Sequence, residues 1–271
     1  LKNLINSSRC LSGLTIDMTG VTNTSLDITL FQNNTKLQTV SLPTTLTSMA
    51  MNMFSNCSNL TTVNIPASVT SIDKFTFLGC TSLTTVSVNA GNANYKDIGG
   101  VLFNKDGTTL LICPRGKSGS YSIPTGVTII EQSAFYFCSN LTTVTIPSTV
   151  ISINEGAFYG CTGLSSVNIP GSVTTIGINS FSYCSSLTAV TLNSGLSSIA
   201  EYAFQNCSNL TTITIPDSVT NIGGYSFENC SNLTTLTVQN TTPQTLGIYA
   251  FNNVAASFGI KVPSASVNTY K

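Results

Sequence analysis

The 271-residue chain contains no histidine and no tryptophan, and only 7% of its residues are charged. The missing histidine removes the commonest general base, the Ser-His-Asp and Cys-His arrangements, and most metal constellations. The missing tryptophan removes one of the side chains most favoured at tight interaction hot spots. Ten basic and ten acidic residues cancel, so no net field draws the chain to nucleic acid or an anionic membrane. No apolar run approaches the roughly 18–20 residues that span a bilayer, and no transmembrane segment is expected. No secretory apolar stretch opens the chain and it does not begin with methionine. It therefore reads as a mature fragment whose targeting signal is not visible. Soluble domains carry about 25% charged residues, so here the surface is left to Thr, Ser and Asn. With 41% apolar residues there is ample material for a core, and the composition is not that of a disordered chain.

What the chain does contain is a period of 23 residues. Cys138, Cys161, Cys184, Cys207 and Cys230 are 23 apart, as are Cys57 and Cys80. Phe54 and Phe77, then Phe135, Phe158, Phe181, Phe204 and Phe227, keep the same beat. Self-similarity at this spacing defines a solenoid, in which no unit can bury its apolar face alone and stacking makes one continuous core. The cysteines number nine, an odd count, and seven share one repeat position. That pattern predicts a ladder of small buried thiols. Disulfides do not fit it, and a one-dimensional ladder is a poor tetrahedral zinc site.

The coil beginning at Cys207 shows the local logic. Ile213 and Ile215 alternate with Thr212 and Thr214, the period of a half-buried strand. Pro216 ends that strand because it cannot donate to the ladder. Val219 and Ile222 point inward from a second extended stretch, Gly223-Gly224 turns the chain, and Ser226-Phe227 is expected on a short helical or 3-10 turn. The expected fold is β-rich α/β: a curved right-handed leucine-rich-repeat solenoid of about eleven coils, spaced ~4.8 Å apart. Its parallel sheet lies on the concave side and its helical turns on the convex side.

The unit Leu210-x-x-Ile213-x-Ile215 matches the leucine-rich-repeat strand signature. Its continuation into Pro, Ser-Val-x-x-Ile and Ala-Phe-x-x-Cys, with Ala134-Phe135, Ala157-Phe158 and Ala203-Phe204 as the pairs, resembles the BspA-like (Treponema-type) leucine-rich repeats of bacterial, Bacteroidetes-like, cell-surface proteins. The resemblance implies a non-enzymatic extracellular or cell-surface adhesion module that recognises host matrix proteins or other cells. Ser68, Ser172 and Ser218 stand where the family carries an asparagine ladder, and are expected to accept backbone hydrogen bonds in its stead.

The period breaks once. Phe77 and Phe135 are 58 residues apart, and the surplus lies near 99–114. There two apolar runs flank Asn104-Lys105-Asp106-Gly107, a tight-turn signal. A β-hairpin budding from the solenoid is predicted. With Lys96, Lys105, Arg115 and Lys117 beside Asp97 and Asp106, it reads either as a recognition finger or as a tolerated insertion with solubilising charges. One domain, 1–271, is expected, with a degenerate cap over 1–33, repeats over 34–238 and a closing cap over 239–271 ending in a strand and a short helix.

No residue set suggests catalysis. Glu155 and Glu201 share a register but lie two coils apart, at the start of a turn where acidic residues complement a helix dipole. Gly99-Gly100 leads into a hairpin rather than a phosphate-cradling helix. No enzyme, cofactor or metal is expected. The candidate ligand-binding residues are Thr143, Thr145, Thr212, Thr214, Thr235 and Thr237 on the strand face, with Lys105 and Asp106 on the hairpin. The expected partner is a protein or other cell-surface macromolecule, met by a monomer through weak, extended or multivalent contact. Two other readings stay open: a spacer within a larger surface protein, and an ice-binding threonine array. β-branched Thr also simply suits an exposed sheet.

Overall fold

The computed structural model describes residues 13–27, 29–242 and 244–264, which form two compact units, 1–117 and 118–271. Arg9, Cys10, Ile28 and the terminal helix expected near the end of the chain lie outside the described residues.

In the first unit the strands Leu14–Asp17, Leu37–Ser41, Thr62–Ile65 and Thr85–Val88 pair in parallel in chain order. A second, shorter pair, Ser48–Met49 with Ser71–Ile72, runs beside them. In the second unit Gly119–Ser122, Leu141–Thr145, Ser166–Ile169 and Ala189–Leu192 make one parallel sheet. Thr212–Ile215, Thr235–Val238 and Gly259–Lys261 make another. The short strands from Ile129–Ile130 through Ser152–Ile153, Thr175–Ile176, Ser198–Ile199 and Asn221–Ile222 to Thr245–Leu246 form a third ladder. Outside the insertion at 95–112, both units are thus parallel β-solenoids, each strand pairing with its repeat equivalent. Alternation decides the strand faces: Thr212 and Thr214 are exposed while Ile213 and Ile215 are buried.

The third side of each coil departs from the sequence expectation. It contains no helical turn among the described repeats. In most coils two residues instead adopt positive φ, one two positions before the ladder phenylalanine and one two after it; beside Phe77 only Gly79 does so. Around Phe181 these are Asn179 (φ 55°) and Tyr183 (φ 61°); around Phe227 they are Tyr225 (φ 55°) and Asn229 (φ 59°). Left-handed residues break a right-handed helix, and they rotate every second N–H out of the coil. The N–H groups of Ser133, Phe135 and Phe137 accordingly donate to the carbonyls of Glu155, Ala157 and Tyr159 in the next coil, at 3.0, 2.7 and 2.7 Å. With no helix there, the dipole rationale for Glu155 and Glu201 falls away.

The core is stacked rings and thiols. In the second unit Phe135, Phe158, Phe181, Phe204 and Phe227 are fully buried, and successive centroids are 4.6, 4.9, 5.3 and 5.3 Å apart with planes within 10°. Phe31, Phe54 and Phe77 stack likewise in the first unit. The eight described cysteines are all buried thiols. Their position has a chemical reason beyond size. Cys161 Sγ donates to the carbonyl of Phe135 at 3.1 Å, Cys184 to Phe158 at 3.2 Å and Cys207 to Phe181 at 3.2 Å. The same Phe135 carbonyl accepts the N–H of Cys138 at 3.0 Å. Each such carbonyl is therefore filled by two donors, one from its own coil and one from the next, which alanine could not provide.

The serines do bond to the backbone, chiefly as donors rather than as the expected acceptors; Ser218 Oγ does both, accepting the Gly195 N–H at 3.2 Å. Ser68, Ser172 and Ser218 donate through Oγ to the carbonyls of Leu46, Val150 and Leu196 in the preceding coil, at 2.6, 2.6 and 2.7 Å. A carbonyl at a turn needs a donor, and a hydroxyl is the smallest one available. Ser172→Ala is expected to cost about 1 kcal/mol in urea unfolding followed by circular dichroism; a loss below the error of the fit would deny the bond any weight. Nor is the asparagine ladder absent. It occupies a left-handed position, where Asn56 Nδ2 donates to Asn33 Oδ1 at 2.8 Å and Asn229 to Asn206 at 3.1 Å.

The insertion is a three-stranded antiparallel meander: Tyr95–Ile98 pairs with Val101–Asn104, which pairs with Thr109–Ile112. Val101, Leu102, Phe103 and Leu110 are fully buried, so its central strand is covered on both faces. Val86 N–H donates to the Gly100 carbonyl and Val88 N–H to Asp97 Oδ1, both at 2.9 Å. The hairpin does not bud outward as expected; its strands extend the core and satisfy the last strand of the first unit's sheet. Three consecutive apolar residues signal a two-faced strand, and Val101-Leu102-Phe103 carried that signal.

Candidate binding surfaces

The threonines of the strand face are presented by strands whose alternate residues anchor in the core. Thr212 and Thr214 stand in register with Thr235 and Thr237, and these in turn with Gly259 and Lys261. Thr143 lies instead beside Ser166, which pairs with Ala189, while Asn168 pairs with Thr191. The hydroxyl rows are therefore short and mixed. Neighbouring hydroxyls just off the strands are engaged with the previous coil, as when Thr234 Oγ1 donates to the Thr211 carbonyl at 3.2 Å. Lys105 and Asp106 belong to the other unit. Lys105 Nζ donates to the Asn92 carbonyl, and the Asp106 carbonyl accepts Lys96 Nζ at 2.9 Å. Lys117 Nζ reaches the Gly99 carbonyl at 2.9 Å. These ammonium groups tie the meander down.

Shallow depressions accompany the strands. One of about 230 Å³ in the first unit is lined by Val40, Leu42, Asn64, Pro66 and Asn89 among others. One of about 330 Å³ in the second unit brings Glu155 beside Glu131, with Ser152, Asn154 and Thr175, rather than beside Glu201. Glu131 Oε1 is already the acceptor for Asn154 Nδ2 at 3.3 Å and for the Gln132 N–H at 3.0 Å. Among the described residues no group of three or more His, Cys, Asp or Glu converges as a metal site would. Among them, too, no helix is long and apolar enough to cross a membrane. The thiols are poor nucleophiles, because burial pushes Cys57, Cys80 and Cys230 up to about 12 and Cys184 and Cys207 well above their ordinary value.

The turn side of the second unit carries a feature that attention to the ladder phenylalanines obscured. Tyr202, Tyr225 and Tyr249 form a column with centroids 5.0 and 5.4 Å apart. Tyr136, Phe137, Tyr159 and Tyr183 cluster farther back, Tyr136 and Tyr159 stacking at 5.2 Å. The 23-residue spacing of Tyr202 and Tyr225 was the available signal.

Parallel β-coils with a Leu-x-x-Ile-x-Ile strand and a stacked phenylalanine spine define a leucine-rich-repeat solenoid. A family model described as the BspA type leucine rich repeat region matches residues 7–114, 115–234 and 152–270, and the chain belongs to that family. No curated protein matches it in sequence. Among solved structures it is similar to a leucine-rich repeat protein from Eubacterium ventriosum, with 24% identity, a TM-score of 0.70, and coverage of 84% of this chain and 70% of that one. It is also similar to a leucine rich cell surface protein from Faecalibacterium prausnitzii, with 26% identity, a TM-score of 0.60, and coverage of 94% of this chain and 61% of that one. A Bacteroides ovatus leucine-rich repeat protein matches at 23% identity with a TM-score of 0.65, over 93% of this chain and 70% of the other. The chain spans less than two thirds of the Faecalibacterium protein.

Proposed function

We propose that the protein is a non-enzymatic binding module of a bacterial surface, attaching by adhesion to extracellular matrix proteins or to other cells. The observation that carries this reading is the repeated presentation of exposed short polar side chains by strands whose alternate residues are buried, in a chain of the BspA type leucine rich repeat family that is similar in structure to a leucine rich cell surface protein. Such a face offers several weak contacts side by side. A spacer role needs the same rigidity but no partner. Surface plasmon resonance against immobilised matrix proteins separates the two. Binding is expected, and Thr212→Arg with Thr214→Arg should weaken it about tenfold, since two bulky cations on a short-chain face obstruct close approach. Absence of binding to every matrix protein and to intact cells would leave the spacer reading in place.

A further inference from the structure

We infer that the tyrosine column on the turn side of the second unit is a second docking surface, distinct from the strand face, for an arginine- or lysine-bearing segment of a partner protein. Exposure rises along the column: Tyr202 and Tyr225 are half-buried, and Tyr249 is exposed beside Ile248. Ile248 and Tyr249 are 68% and 61% exposed, and Tyr183 45%. Tyrosine is among the residues that dominate interaction energetics, and the strand face has none to offer there.

The backbone supplies a separate argument. Tyr202, Tyr225 and Tyr249 all sit at positive φ (59°, 55° and 55°). Bulky side chains are disfavoured there by about 1–2 kcal/mol. Other coils place Asn52 and Asn179 at the equivalent position, two residues before Phe54 and Phe181. Asparagine tolerates this conformation at lower cost, so the solenoid itself does not require aromatic rings there. Three consecutive coils carry them nonetheless.

Charge points to the occupant. The zero net charge of the chain conceals a division. Residues 1–117 hold eight Lys or Arg and five Asp or Glu, whereas residues 118–271 hold five acids and two lysines, Lys261 and Lys271. Four of those five acids, Glu131, Glu155, Glu201 and Glu228, lie in or beside the turn segments. Glu228 is fixed in place, accepting Gln205 Nε2 at 2.7 Å and Asn252 Nδ2 at 3.0 Å. The Tyr225 phenol is raised from its ordinary value by desolvation first, then by Tyr202, Tyr249, Glu228 and Glu201, which places rings and carboxylates within one electrostatic neighbourhood. Aromatic rings flanked by carboxylates recognise guanidinium and ammonium groups through cation–π attraction and charge-assisted hydrogen bonds.

The test uses the intact chain and a fluorescein-labelled octa-arginine peptide, followed by anisotropy, with octa-glutamate and a Gly-Ser octamer as comparisons. Octa-arginine alone should bind. Tyr225→Asn with Tyr249→Asn, substitutions the fold already uses at this position, should weaken binding at least tenfold. Glu201→Gln with Glu228→Gln should do the same. Asp217→Asn removes a charge from the same unit in the turn that directly follows the strand Thr212–Ile215, and should change affinity less than twofold. Unchanged melting curves will show that the variants are folded. Equal binding by the tyrosine variants, equal loss with Asp217→Asn, or no octa-arginine binding would overturn the proposal. Sedimentation showing self-association that the tyrosine variants abolish would also overturn it, by making a second copy the occupant. Matrix-protein binding, assigned to the strand face, should survive the tyrosine variants; its loss together with octa-arginine binding would overturn the claim that the two surfaces are distinct.

Discussion

Replacement of Phe181 by alanine is expected to cost about 3–5 kcal/mol, the largest loss from any single side chain in the second unit. The ring is fully buried and lies between Phe158 at 4.9 Å and Phe204 at 5.3 Å. Its removal leaves a void between two rings held in place by their own coils. The backbone cannot close over it, because the N–H of Phe181 is committed to the Ala203 carbonyl at 2.8 Å. In a solenoid each coil contacts chiefly its neighbours, so a central defect weakens two interfaces while a terminal one weakens a single interface. Phe258, half-buried and stacked only on Phe251 at 5.4 Å, should therefore cost less than half as much on the same change. Urea unfolding of the two variants, with far-ultraviolet circular dichroism as readout, measures the difference. Equal losses would mean that the spine is not a cooperative stack.

The second large effect is alkaline unfolding. Burial pushes the thiols of Cys57, Cys80 and Cys230 up to about 12 from an ordinary value of 9.0, and those of Cys184 and Cys207 well above that ordinary value, with desolvation the leading cause. Below pH 9 both folded and unfolded chains hold these protons, and the stability associated with them is fully present. Between pH 9 and 12 the unfolded chain releases protons that the folded chain keeps. Stability must then fall, by about 1.4 kcal/mol per thiol for each pH unit. The second unit carries three of the five shifted thiols, so it should lose about 4 kcal/mol per unit of pH and unfold first. Tyr95, Tyr159 and Tyr225, also raised, add loss in the same direction at still higher pH. Urea midpoints measured from pH 8 to 11 should decline steeply above 9, and Cys184→Ala with Cys207→Ala should flatten that decline. A flat profile in the native sequence would contradict the buried-thiol account.

The period-23 spacing of Phe and Cys was sufficient to specify coils, parallel pairing and a core of stacked rings and thiols, because only side chains recurring once per coil can form such columns. The strand positions were equally readable: Thr212-Ile213-Thr214-Ile215 alternates, and Pro216 can extend it no further. The turn side was not readable. Ala-Phe and Ser-Phe pairs suit a helical turn locally, and although Asn179 is of a type that tolerates the left-handed conformation, nothing in Tyr183 announces it. That choice is made by the next coil, whose carbonyls capture every second N–H. The meander was half legible. Asp106-Gly107 marked its turn, but its burial depended on where the last strand of the first unit needed hydrogen-bond partners. The candidate threonines could be named as outward-facing, yet their short, mixed rows emerged only once strand register was known. The tyrosine column went unremarked because its meaning rests on exposure, φ and neighbouring carboxylates.

Composition and period by themselves determined that this chain is a stacked solenoid with a phenylalanine spine and no histidine chemistry. Local patterns with a fixed repeat admit one way of burying their apolar face. Tertiary structure alone decided the left-handed turns, the sense of the serine bonds, the buried meander and the meeting of tyrosines with glutamates. Each of these is a contact between coils, and a contact between coils is settled by what the adjacent coil offers rather than by the order of residues along one.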